Sequence, residues 1–142
     1  MKYHLKVLIA VSVATLLSAC ASGPAFVKLE NPDQGQAKVY VYRTFNLMQS
    51  GIFPDVYVDS NLVGKMKNGG FFAFSAKPGT HTVTLSGNYL QWHYNDHSVP
   101  LAVAANETYF YRLKTISNTG YAFKEVDKEE ALKELKELKA VE

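Results

Sequence analysis

Ala37-Lys38-Val39-Tyr40-Val41-Tyr42-Arg43 alternates small aliphatic residues with larger side chains. Successive side chains of a strand point to opposite faces, so both faces of this one carry apolar surface. Such a strand suits an inner position, with one face in a core and the other at least partly covered.

Strand patterns continue downstream. Asp55-Val56-Tyr57-Val58, the polar turn Asp59-Ser60-Asn61 and Leu62-Val63-Gly64-Lys65-Met66 read as a hairpin. Asn68-Gly69-Gly70 turns the chain into Phe71-Phe72-Ala73-Phe74, and Lys77-Pro78-Gly79 leads into residues 80–86, which alternate strictly and are rich in β-branched side chains. Residues 98–103, 108–116 and 121–126 complete the set. The expected fold is all-β, mainly an antiparallel β-sandwich of seven or eight strands, with a C-terminal α-helix over 127–140. Asp127 can cap that helix, with Glu130 placed to reach back in a capping-box arrangement. Leu132, Leu135 and Leu138 form an apolar stripe beside Ala131, so the helix reads as a lid on the sheet.

The front of the chain has a different texture. Lys2 and Lys6 precede the apolar run Val7 to Leu17. Eleven residues cannot span a bilayer core of roughly 30 Å, which needs about 20. A basic start, a short apolar run and small residues beyond it mark residues 1–19 as a signal peptide. It ends in Leu17-Ser18-Ala19-Cys20, which resembles the bacterial lipobox. In that class the Cys is acylated and the peptide is cut before it. Two or three acyl chains hold a protein on a membrane where one does so only marginally. Cys20 is the only cysteine, so no intramolecular disulfide can form, and lipidation would consume the one thiol. Residues 20–35 then read as the lipidated Cys and a flexible tether, and 36–142 as one domain. Ala21 follows Cys20 where an Asp resembles an inner-membrane retention signal, which points by analogy to the outer membrane. Removing Lys2 and Lys6 from the formal charge of +2 leaves 13 basic against 13 acidic side chains, with no footprint for nucleic acid.

Taken together, residues 37–43, Val56-Tyr57-Val58-Asp59, Val63-Gly64, Pro78-Gly79-Thr80-His81 and Tyr109-Phe110-Tyr111-Arg112 resemble, in their order, lipoproteins of domain-of-unknown-function family 2846. The resemblance covers roughly residues 26–140. The part from Val56 to Leu85 is also similar to PEGA domains, small surface β-modules. Ser60 departs from that pattern, which usually has Gly after the Asp. The resemblance implies an all-β envelope lipoprotein and no assigned activity.

No nucleophile elbow, glycine-rich phosphate loop or HExxH pattern is present. His93 and His97 flank Asn95-Asp96, which reads as a polar loop rather than a metal site, and no cofactor or metal is expected. Tyr89, Trp92 and Tyr94 are either core and rim aromatics or a platform for a sugar. Residues 45–54 are loop-like, yet they include Phe45, Leu47, Met48, Ile52 and Phe53. They either fold over one end of the sandwich or touch a partner or membrane. Leu47 and Met48 are adjacent, so an extended loop cannot turn both inward, which favours contact. Arg43 and Arg112 end or interrupt apolar strands and either pair with acids such as Asp55 or Glu125, the favoured reading, or line a shallow polar site. The leading expectation is a non-enzymatic, outer-membrane-anchored periplasmic lipoprotein. Its expected partners are the membrane, through the lipid, and an envelope protein or glycan. The alternative is a glycan- or peptidoglycan-binding module. An envelope enzyme ranks third.

Overall fold

The computed structural model describes residues 20–47, 50–89, 92–116 and 120–141. Residues 1–19, expected to be a signal peptide, lie outside the described residues, as does Met48. The strands are β1 (Ala37–Tyr42), β2 (Asp55–Val58), β3 (Asn61–Lys65), β4 (Gly70–Ala76), β5 (Gly79–Tyr89), β6 (Trp92–Val103), β7 (Thr108–Ile116), β8 (Gly120–Glu125) and β9 (Lys139–Ala140). The helix α1 spans Lys128–Leu135. One sheet has the order β8-β7-β1-β4-β9 and the other β3-β2-β5-β6. The first sheet is mixed, because β1 pairs parallel with β7 and β4 parallel with β9.

β1 is the middle strand its pattern called for. Val39 and Val41 join Val56, Val83, Leu85, Leu101 and Leu113 in the core between the sheets. Tyr40 and Tyr42 point the other way, into a second cluster with Phe110, Val126, Ala131, Leu135 and Leu138. The molecule therefore has three layers, with β1 buried on both faces. Tyr40 stacks on Phe110 at 5.6 Å between ring centroids, and Phe26 meets Phe71 edge-on at 5.5 Å.

Two boundaries differ from the expected ones. The helix stops at Leu135 rather than Ala140, although every residue to 140 is a good helix former. Past Lys136 the backbone gains sheet partners on both sides. Lys139 N–H donates to Gly69 O, Val141 N–H to Phe71 O and Ala140 N–H to Pro24 O. Leu138 stays buried throughout, so pairing replaces helix without exposing the stripe. This segment supplies the ninth strand.

The second difference concerns the tether. Residues 21–26 are docked on the domain rather than hanging free. Ala21 N–H donates to Asn68 O, Gly23 N–H to Ala140 O and Phe26 N–H to Leu138 O, each at 3.1 Å. Small side chains serve close approach here. A Cβ on Gly23 would stand 2.6 Å from Ala140 O. Ala21 and Phe26 are buried. β9 thus lies between β4 and the N-terminal segment.

Candidate functional site

One end of the sandwich brings together Cys20 and the loop that carries Phe45, Leu47 and Phe53. Cys20 forms a backbone bridge beside Asn68. Asn68 is wholly buried, and its amide serves as a clamp. Its Oδ1 accepts from Asn46 N–H at 2.9 Å and its Nδ2 donates to Asn46 O at 3.1 Å. A buried amide satisfied on both sides fixes the loop it grips. A Cβ on Gly69, at φ +66°, would lie 3.9 Å from Phe45 Cβ. Cys20, Asn68, Asn46 and Phe45 are therefore consecutive neighbours at one end.

The loop after β1 divides in two. Its far half packs: Ile52 lies against the inter-sheet core, Phe53 is half-buried and Pro54 O accepts from Met66 N–H at 2.8 Å. Its near half projects, with Phe45 61% and Leu47 77% exposed. End-cap packing and exposure thus each describe one half of the loop. Arg43 holds the two halves together. It is buried, its Nη1 donates to Ile52 O, and its backbone N–H donates to Gly70 O at 2.9 Å. Burial pulls its pKa below the ordinary arginine value, with Tyr121 opposing that pull. Arg43, Thr44, Asn46 and the exposed Lys114 line a polar notch of about 210 Å³ beside Asn46.

Residues 33–127 match the family described as "Protein of unknown function (DUF2846)". The chain belongs to the DUF2846 family. The matched span includes both sheets apart from β9, whereas Cys20, the docked segment and α1 lie outside it. The solved N-terminal domain of AlgF from P. aeruginosa is similar over 70% of this DUF2846 chain and 100% of its own length, at 18% identity and a TM-score of 0.42. No curated protein matches.

Arg112 does not pair with Asp55 or Glu125. Its Nη1 donates to Glu130 Oε1 at 2.8 Å and to Glu134 Oε1, both on α1. Burial disfavours the Arg112 charge, but these bonds outweigh it and raise the pKa. Tyr42, the β1 partner of Arg112 in the sheet register, donates its hydroxyl to Glu134 Oε2 at 2.6 Å. Burial and that bond raise its pKa above the ordinary tyrosine value. This cluster bolts helix to sheet, and Glu130 serves it instead of closing the capping box. The other half of the box is present, with Asp127 Oδ1 accepting from Glu130 N–H at 3.0 Å. Asp55 pairs with Lys65 at 3.3 Å. Glu125 bonds Tyr111, whose pKa burial and that carboxylate push up to about 12.

At the opposite end His81 Nδ1 lies 2.5 Å from Asp59 Oδ2, and Nε2 donates to Lys77 O at 2.7 Å. A carboxylate and a carbonyl both accept, so both ring nitrogens carry protons. The bonds to Asp59 and Lys77 raise the His81 pKa.

The segment expected to be a polar loop around His93 and His97 is strand instead, part of β6. Residues four apart on a strand are about 13 Å apart, which separates the two histidines. In the β5–β6 register Tyr89 pairs with Trp92 and Tyr94 with Gly87, and a register shift lies between Leu85 and Gly87. The side chains of Tyr89, Trp92 and Tyr94 lie outside the described set. Asn68, Gly23 and Lys114 were invisible as site residues. Asn-Gly-Gly reads as an ordinary turn, and Ala-Ser-Gly as an ordinary spacer.

Proposed function

We propose that this chain is a lipoprotein held on the periplasmic face of the outer membrane by acylated Cys20. It presents its β-sandwich as a non-enzymatic binding or structural module of the cell envelope. The observation that carries the reading is Leu17-Ser18-Ala19-Cys20, with the only cysteine in the chain at the modified position. The start of the domain supports it. The docked segment begins with the Cys20–Asn68 bridge, so cutting before Cys20 would leave every bond of that segment in place. The test is envelope fractionation of the wild type and Cys20→Ala. The wild type should sediment with outer membrane and need detergent, and the variant should stay uncleaved. A Cys20→Ala protein recovered as a mature, detergent-requiring species refutes the anchor.

The glycan-binding reading has one observation in its favour, the register that sets Tyr89 against Trp92 on one hairpin. Aromatic residues stack on sugar faces. Purified sacculi should retain the protein if this reading holds, and lose it on Trp92→Ala.

A further inference from the structure

We infer that Phe45 and Leu47 form a second membrane contact, inserting into the same leaflet that receives the Cys20 lipid, so that the domain sits directly on the bilayer. The inference rests on the anchor reading above. Three independent features converge on it.

The first is the docked segment. A flexible tether would let the domain drift from the surface. Here Ala21 and Gly23 are hydrogen-bonded to Asn68 and Ala140, so the acylated residue is flush with the folded body. The second is position. The Cys20–Asn68 bridge and the Asn68–Asn46 amide clamp place Phe45 and Leu47 on the order of 10 Å from Cys20. The lipid therefore presses this end, and not the His81 end, against the leaflet. The third is chemistry. Phe45 and Leu47 are among the most exposed large apolar side chains, on a loop whose base is fixed by Asn68 and Arg43. A rigid base with projecting apolar tips suits shallow insertion below the headgroups. Lys114, exposed on the neighbouring notch, supplies a cation that suits lipid phosphates. A protein partner would also cover such tips, but the lipid at Cys20 brings the bilayer there first.

The test uses the full mature lipoprotein in vesicles of phosphatidylethanolamine and phosphatidylglycerol. Acylation consumes Cys20, the only native thiol, so Leu47→Cys can carry a spin label without further change. Leu47 is exposed, and the substitution leaves the core untouched. Lys77→Cys, beyond the far end of β4, is the reference. The Leu47 label should lose collisions with a water-borne relaxing agent and gain them with oxygen, while the Lys77 label stays aqueous. Intact mass of each sample reports acylation separately. An acylated protein whose Leu47 label is as wet as the Lys77 label overturns the contact and leaves the anchor standing. A chain with no acyl group overturns both.

Discussion

Ser60 shows how one side chain sets the character of a turn. Val58 pairs with Asn61, leaving Asp59 and Ser60 as a two-residue loop. Their φ angles are +49° and +67°, both left-handed, as a type I′ hairpin demands. Glycine takes such angles without strain, so Ser60→Gly should stabilise the domain by about 0.5 kcal/mol, read from a denaturant midpoint. Asp59 is held for another reason: its carboxylate accepts from His81 and from Thr82 N–H at 2.8 Å. These two bonds, that to His81 first, lower its pKa. The raised His81 pKa gives stabilisation that is complete below about pH 6.5 and lost as pH rises through the folded value. The lowered Asp59 pKa gives stabilisation present above about pH 3.9 and lost as pH falls through its folded value. The wild type should therefore lose stability between neutral and mildly alkaline pH, and His81→Gln should not share that part of the slope. Parallel melts at pH 6 and 9 check it, and identical slopes would contradict the imidazolium assignment.

At the scale of elements, the period-two pattern of β1 and the three-residue spacing of the leucines were legible because each follows from repeat geometry. Leu135 is fully buried against Tyr40, Tyr42 and Phe110, so Leu135→Ala should cost about 2–5 kcal/mol. A shift worth under about 0.5 kcal/mol would mean the helix is not a lid. What eluded the sequence was long-range pairing. Lys136 to Ala140 all have helical propensity, yet Lys139 and Ala140 become strand by pairing with residues 69–71 and with Gly23 and Pro24, all distant in sequence. The partners of Arg112 were hidden likewise, since Glu130 and Glu134 meet it only once α1 lies across β7. His93 to His97 misled because Asn-Asp suggests a turn, while pairing with β5 keeps them extended.

At the scale of the whole molecule, the docked N-terminal segment fixes Cys20 against the folded domain. Gly23 is its weakest point, because the clash a Cβ would make is with backbone and no side-chain rotation relieves it. Gly23→Ala should abolish hydrogen-exchange protection at the Ala21, Gly23 and Phe26 amides while β1 keeps its own. Unchanged protection would mean the segment docks by other contacts. Of the residues that meet at this end, the sequence singled out Cys20 by its motif and Phe45 and Leu47 as apolar residues in a loop. The amide clamp that joins them was not, because a buried Asn68 and a turn Asn are the same letter. The central claim is the lipid on Cys20, and the intact mass of the protein extracted from its own membranes tests it most directly. The account expects a chain that begins at Cys20 and carries two or three acyl groups; a chain that keeps Met1 to Ala19, or one with a free Cys20 thiol, contradicts it.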